Sequence, residues 1–273
     1  MCIRDRFVGT IVPGTSRIVG TTKFPATGAI TCVCGSTSFG FYLKQSGHDH
    51  IVITGKSDHP IYIEINNDEI NFHNATDLWG KDIAETTDIL KRRYSTKNES
   101  CGVIAIGPSG ENLVKFSIAL VDKTSTFGRG GLGAVMGSKN LKAIVVRGNK
   151  GIKIADDKNF WKLINKLFDR IKNYRLLKEW HKLGLMKSAP LEMMFAAAGG
   201  KYKKKAKQSS SRTYLKKLKL RRFACPSCPI ADKDILMIKE GDFSGLISYT
   251  SVSYTHLRAH ETSLHLVCRL LLE

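Results

Sequence analysis

Phe-Gly-Arg-Gly-Gly-Leu-Gly-Ala-Val-Met-Gly-Ser-Lys-Asn-Leu-Lys-Ala-Ile-Val-Val-Arg, residues 127–147, is the stretch whose reading decides the fold. Five glycines fall between positions 128 and 137, and an apolar, β-branched run follows at 143–146. Glycine adopts φ > 0 without a Cβ clash and lets the backbone approach another group closely. Successive N–H groups can then face an anion, and Arg129 and Lys139 add charge. One reading is therefore an anionic, phosphate-rich ligand lying on this loop. The spacing is not that of a Walker loop, because Gly137 is followed by Ser138-Lys139 and not Lys-Ser. It is not the dinucleotide fingerprint either, since the preceding residues 122–126 are polar. A tight glycine turn ahead of a buried strand gives the same pattern. The residues alone leave these two readings open.

On the N-terminal side the chain reads as many short strands. Val8–Val19 contains the turn signal Pro13-Gly14, and Arg17 enters a β-branched run. Cys32 and Cys34 flank one valine, so in a strand both face one side, as a soft ligand pair or a packed pair. Residues 51–55 read as a strand, and 61–65 with 69–73 read as a hairpin turning at Asn66-Asn67-Asp68. His73 reads as a strand surface residue. Asp82 predicts a helix cap with the helix running to about residue 93. Residues 103–106 read as a buried strand, and β character resumes over 113–121. After residue 151 the composition changes. Asp156 or Asp157 can cap a helix with apolar residues at 160, 163, 164, 167, 168, 171, 174 and 177, which is helical spacing. The expected fold is α+β. A β-rich domain spans residues 7–150, and the start of a mainly helical domain spans 151–250.

The chain has 273 residues and is 42% hydrophobic, enough to bury a core. No run of about 18 apolar residues predicts a membrane span. Seven cysteines, an odd number with two close pairs, point to ligand or thiol chemistry in a reducing compartment more than to a disulfide framework. The formal net charge is +19, but residues 201–222 hold eleven Lys/Arg and no acid. Basicity is thus one surface segment, not a property of the whole chain. It reads as a solvated loop or helix, with RNA or an acidic electron-transfer partner as the sharper alternative.

Residues 221–233, Arg-Arg-Phe-Ala-Cys-Pro-Ser-Cys-Pro-Ile-Ala-Asp-Lys, carry Cys225-x-x-Cys228. The spacing lets two thiolates reach one metal or cluster, and it also suits a redox dithiol. No second Cys or His pair with zinc spacing completes it nearby.

Arg129-Gly-Gly-Leu-Gly-Ala-Val-Met-Gly-Ser-Lys-Asn-Leu-Lys-Ala-Ile resembles the signature of the aldehyde:ferredoxin oxidoreductase family. The resemblance extends to Pro13-Gly-Thr-Ser-Arg17, Phe24-Pro-Ala-Thr-Gly28, Phe39-Gly40, Leu43-Lys44 through Asp49, and Ile106-Gly-Pro-Ser-Gly-Glu-Asn-Leu113. It covers roughly residues 8–233. It implies a tungsten or molybdenum bispterin cofactor on a β-rich base, and a [4Fe–4S] cluster. It places Arg17, Arg129, Gly130 and Gly131 on the pterin, with Cys34 and Gly35 at the cofactor-facing turn. It places Cys225 and Cys228 on the cluster. Two departures stand out: Cys34 falls where the family has Asn, and Ser36-Thr37 falls on its glycine pair. The third cluster position is Asp232, a carboxylate in place of a thiolate and a harder ligand for iron.

Both ends, residues 1–6 and 252–273, resemble translated sequencing-adapter DNA and are expected to be non-native. That sets aside Cys2, Cys268, His256, His260 and His265 and makes the chain an N-terminal fragment. The resemblance implies oxidation of an aldehyde to a carboxylic acid, with electrons leaving through the cluster to ferredoxin in the cytoplasm. A homo-oligomer is compatible with it. The fragment alone is expected to be inactive, and its substrate pocket and acid–base residues to lie elsewhere. Two alternatives are a related tungsten enzyme acting on a hydroxy acid or aromatic acyl-CoA, and a nucleic-acid-binding protein using the basic segment.

Overall fold

The computed structural model describes residues 2–4, 7–97, 99–128, 130–187, 217–242 and 244–250. These form two compact units, 1–161 with 225–227, and 162–224 with 228–273.

The first unit is built on two sheets. The smaller comprises β1 (Cys2–Arg4), β2 (Ile18–Lys23), β3 (Ile30–Gly35) and, after helix α1 (Ser38–Gln45), β4 (His50–Val52). Its order is β3-β2-β1-β4, with all neighbours antiparallel. The backbone of Cys2–Arg4, part of the segment expected to be non-native, fills the slot between β2 and β4. The larger sheet uses the hairpin β5 (Ile61–Asn66) and β6 (Glu69–Asn74), followed by α2 (Ile83–Tyr94) and β7 (Gly102–Ala105). After the short α3 (Pro108–Glu111) come β8 (Leu120–Val121), β9 (Ser125–Thr126), α4 (Leu132–Ser138) and β10 (Leu141–Arg147). The order is β6-β5-β10-β7-β8-β9. β10 lies parallel to β5 and antiparallel to β7.

The unbroken apolar run of β10 follows from this central position, since a strand covered on both faces has no polar side. Ile144 and Val146 join Ile18, Val33, Phe39, Phe127, Leu132 and Met136 in one core cluster, which draws on both sheets, α1 and α4. Ala143 and Val145 join Tyr62, Leu90 and Val103 in a second cluster on the α2 side.

The element between the glycines and β10 is helix α4, which the sequence reads only as loop. Its glycines are there for close approach. A Cβ on Gly133 would lie 2.7 Å from the Ile118 carbonyl oxygen, and one on Gly137 2.0 Å from that of Gly110. The expected β character over 113–121 narrows to β8. The chain turns first at Leu113 (φ +58°), and Ser117 N–H donates to the Val114 carbonyl at 2.8 Å.

The second unit begins within α5 (Asp157–Lys172), capped by Asp156, whose Oδ1 accepts from Asn159 N–H at 3.0 Å. α6 (Leu177–Leu183) and a 3₁₀ turn (Gly184–Lys187) follow. β11 (Lys219–Phe223), β12 (Lys233–Met237) and β13 (Ile247–Tyr249) form an antiparallel sheet in that order. This sheet is absent from the helical reading of the segment. The apolar stripe of α5 buries only Ile164, and Leu163 stays 60% exposed.

Candidate cofactor site

Of the predicted site residues of the first unit, Arg17, Cys34 and Gly35 stand at the open end of the β2–β3 pair, whereas Gly130 and Gly131 pack at its turn end, against Phe24-Pro25. Ile18 pairs with Gly35 and Val19 with Cys34, so Arg17, one residue before β2, stands at the same end as Cys34, Gly35 and Ser36. Arg17 is exposed, and so are Cys32 and Cys34. Strand alternation puts both thiols on the outer face while Val33 and Gly35 turn into the core. The packed reading of this pair does not hold, because both thiols are exposed.

Gly35 is required by packing: a Cβ there would lie 2.9 Å from Val121 Cγ2 and 3.3 Å from Phe127. Gly130 (φ +130°) would place a Cβ 2.8 Å from the Phe24 ring. Gly131 (φ +90°) would place one 2.1 Å from the Lys115 carbonyl oxygen and 2.8 Å from Pro25. These two glycines therefore draw the loop against the turn at Phe24-Pro25, the segment the sequence singles out separately. Gly128 (φ +74°) has nothing within 4 Å of its Cβ position, so its glycine answers to backbone conformation alone. Arg129 lies outside the described residues.

The turn after β3 carries residues that the sequence reading noticed only as departures. Thr37 has φ +88° and ψ −150°, a region that only glycine enters without cost, at roughly 1–3 kcal/mol for other residues. Asp122 holds it there. Its Oδ2 accepts from Thr37 Oγ1 at 2.9 Å, Ser38 Oγ at 2.6 Å and Ser38 N–H at 3.1 Å. Its Oδ1 accepts from Val103 N–H at 3.0 Å and pairs with Lys91 at 2.9 Å. One buried carboxylate thus ties together the start of α1, β7 and α2. A run of polar residues, 122–126, hides such a hub, because nothing local marks which carboxylate is buried.

The segment 225–227 belongs to this unit. Gly14 N–H donates to the Ser227 carbonyl at 3.0 Å, and Ser227 Oγ donates to the Thr10 carbonyl at 2.7 Å. Cys225, 9% exposed, donates its S–H to Ser36 Oγ at 3.7 Å. Gly14 and Ser227, far apart in the sequence, are therefore neighbours in space. The donor chemistry at Cys225 is that of a free buried thiol, which suits a soft metal ligand.

In the second unit, Cys228 is a free, half-buried thiol. Asp232 is half-buried, and its carbonyl accepts from Leu185 N–H at 2.8 Å. Among the described residues no three His, Cys, Asp or Glu side chains gather as a metal site. Of the basic segment, only residues 217–222 are described. There Lys219 pairs with Asp234 at 2.6 Å, and Arg222 donates to the His181 carbonyl at 3.1 Å. His73, read as a surface residue, is partly exposed and contacts buried Glu64 at 2.8 Å. No described helix is long and apolar enough to cross a membrane.

Comparison with known proteins places the chain in a family. The family described as "Aldehyde ferredoxin oxidoreductase, N-terminal domain" matches residues 5–148. The tungsten-containing aldehyde ferredoxin oxidoreductase of Pyrococcus horikoshii is 42% identical over 164 residues, covering 60% of this chain and 27% of that protein. The WOR-like subunit of an aliphatic sulfonate oxidoreductase from Pyrococcus furiosus is 28% identical over 244 residues, 83% of this chain and 38% of that one. Among solved structures, the active-site complex BamBC of benzoyl coenzyme A reductase, bound to 1,5-dienoyl-CoA, superposes with a TM-score of 0.75 and 25% identity. The match covers 98% of this chain and 43% of that one. The chain thus spans about 27% of the length of the aldehyde ferredoxin oxidoreductases it matches. With more than half of its residues inside the family match, the chain belongs to the aldehyde ferredoxin oxidoreductase family, whose N-terminal domain it carries.

Proposed function

We propose that this chain is the cofactor-base portion of a tungsten oxidoreductase, carrying a tungsten bispterin along the β2–β3 pair and contributing ligands to a [4Fe–4S] cluster. The observation that carries the reading is the contact of Cys225 with Ser36, which brings a prospective cluster ligand to the turn bearing Cys34 and Gly35. The free buried thiol fits a cluster's need for thiolates. The close-packed glycine loop fits the need for a smooth floor under a large planar group. When bound, the metal–pterin centre supplies the two-electron redox chemistry. The chain's own residues bind and orient it: Arg17 and Arg129 by charge against the phosphates, and Gly130 and Gly131 by keeping the loop low. By their spacing in the sequence, Cys225 and Cys228, with Asp232 as a third and harder donor, would supply ligands to the cluster. The relatives' names support oxidation of an aldehyde with ferredoxin as electron acceptor. The chain alone does not turn over substrate on this reading.

A second reading keeps the cofactors and changes the substrate. It is favoured by Cys34 at the cofactor-facing turn, and by likenesses to the sulfonate oxidoreductase subunit and to benzoyl coenzyme A reductase that extend further along this chain than the 60% covered by the aldehyde oxidoreductases. The test is elemental analysis of the anaerobically purified chain after reconstitution. Iron and sulfide uptake that falls away in Cys225→Ala and Cys228→Ala is the expected outcome. Uptake unaffected by either change sinks the cluster assignment.

A further inference from the structure

We propose that Cys32 and Cys34 form a two-coordinate site for a monovalent soft metal ion, Cu(I) or Ag(I), on the outer face of β3; the inference needs only the β2–β3 pair and does not rest on the cofactor reading above. Both thiols are free and exposed. They flank the buried Val33, so strand alternation puts both on one face. Residues two apart on an antiparallel strand stand roughly 6.8 Å apart. A disulfide needs Cβ atoms about 3.5–4.5 Å apart, so the strand holds these thiols too far apart to join directly. An interposed metal ion relaxes that requirement. Two metal–sulfur bonds of about 2.3 Å each, the length found at zinc, set collinear sulfurs roughly 4.6 Å apart. Two cysteine side chains leaning toward each other along the strand reach that separation without moving the backbone.

The number and kind of donors select the ion. Structural zinc takes four ligands, and iron–sulfur clusters take four thiolates. Among the described residues no three His, Cys, Asp or Glu side chains gather as a metal site. An ion satisfied by two collinear ligands is therefore required, and thiolates select Cu(I). Binding breaks two S–H bonds, forms two metal–sulfur bonds and releases two protons to water; no electron moves. The bound complex carries one negative charge, and its surroundings complement it. Residues 17–35 include Arg17 and Lys23 and no acid. Cys32 pairs with Thr21 and Cys34 with Val19. Lys23 and Arg17, both exposed, are thus the diagonal neighbours of Cys32 and Cys34 across the pair, a separation that long side chains span.

The experiment titrates the full chain, reduced and free of tungsten, with Cu(I) presented by a chromogenic chelator. Cys32→Ser, Cys34→Ser and the double variant are run beside it. Retained copper is counted, and alkylation read by peptide mass spectrometry locates the protected thiols. Each single variant is expected to retain one equivalent less than the parent. The double variant is expected to lose no more than either single one, because one sulfur alone does not hold the ion. In the parent, Cu(I) is expected to protect Cys32 and Cys34 together. Equal retention by the parent and the double variant overturns the proposal. A single variant that keeps the parent's copper also overturns it, since the ion then has its ligands elsewhere. Zn(II) offered in place of Cu(I) is expected to leave both thiols open to alkylation, and protection by Zn(II) overturns the two-coordinate site. Both side chains are exposed, so the serine variants are expected to fold. Should one not, the parent decides alone: equal alkylation of Cys32 and Cys34 with and without Cu(I) overturns the site.

Discussion

Single residues at this site are fixed by two different constraints that the sequence does not distinguish. Gly128 and Gly131 both have positive φ, yet only Gly131 has a backbone oxygen, 2.1 Å away, where a Cβ would stand. Gly128→Ala is expected to cost about 1–2 kcal/mol, the penalty of a left-handed residue. Gly131→Ala adds overpacking of roughly 1–3 kcal/mol to that penalty. Urea denaturation of the two variants decides the point, and equal losses would refute the packing role. The glycine density of residues 128–137 was legible as a demand for close approach. What it approaches was not, because Phe24, Pro25 and Lys115 are remote in sequence. Thr37 shows the converse. A β-branched residue in a glycine-like conformation carries no local mark, and only the buried Asp122 explains why it stays there.

At the level of elements, the local signals were the most readable. Asp82 caps α2, its Oδ1 accepting from Glu85 N–H at 2.7 Å, and the helix ends one residue beyond the expected end. The hairpin β5–β6 turns at Asn67, which takes φ +54°. The strand β10 was legible from its apolar run, but its one buried charge was not. Lys142 has a fully buried side chain, donates from Nζ to the Lys81 carbonyl at 2.7 Å, and pairs with Glu111, which in turn accepts from Gly80 N–H at 2.9 Å. Burial lowers the Lys142 pKa, with Glu111 opposing. Lys142→Ala leaves Glu111 buried without its cation and is expected to cost about 3–5 kcal/mol. A loss within the range of a surface substitution, about 0.5 kcal/mol, would remove the pair from the account of this fold.

β12 carries a second buried charge with the opposite consequence. Asp234 is fully buried, and burial raises its pKa above the ordinary 3.8, with Lys219 opposing. Folded Asp234 therefore binds a proton over a pH range where the unfolded side chain has lost it. Stability from this group falls as pH rises from about 3.8 through the raised folded value, then levels off. Asp234→Asn lacks that fall. The difference in melting temperature, variant minus parent, should grow in the variant's favour as pH increases across this window. A difference independent of pH would show that the carboxylate is not the cause.

Over the whole molecule, composition and charge gave bounds, and long-range pairing gave the rest. The α+β class and the β-rich first part followed from alternation and turn residues. The sheet order did not, since β10 separates β5 from β7 although many residues lie between them. The basic segment stood out in the sequence, and the described part of it is tied down by Asp234 and the His181 carbonyl. The return of residues 225–227 to the first unit had no sequence signal beyond the cysteine spacing itself.

The position of β10 has a consequence for how the chain reaches this structure. The strand that sits at the centre of the six-stranded sheet is the last of the six to leave the ribosome. Until it arrives, the β5–β6 hairpin and the β7–β8–β9 meander each present an open edge to the other and cannot join. Closure of the sheet is thus a late, non-local step, of the kind that makes folding slow. A nascent chain halted before residue 141 would hold two unmatched edges, and it would be the aggregation-prone state that chaperones have to cover.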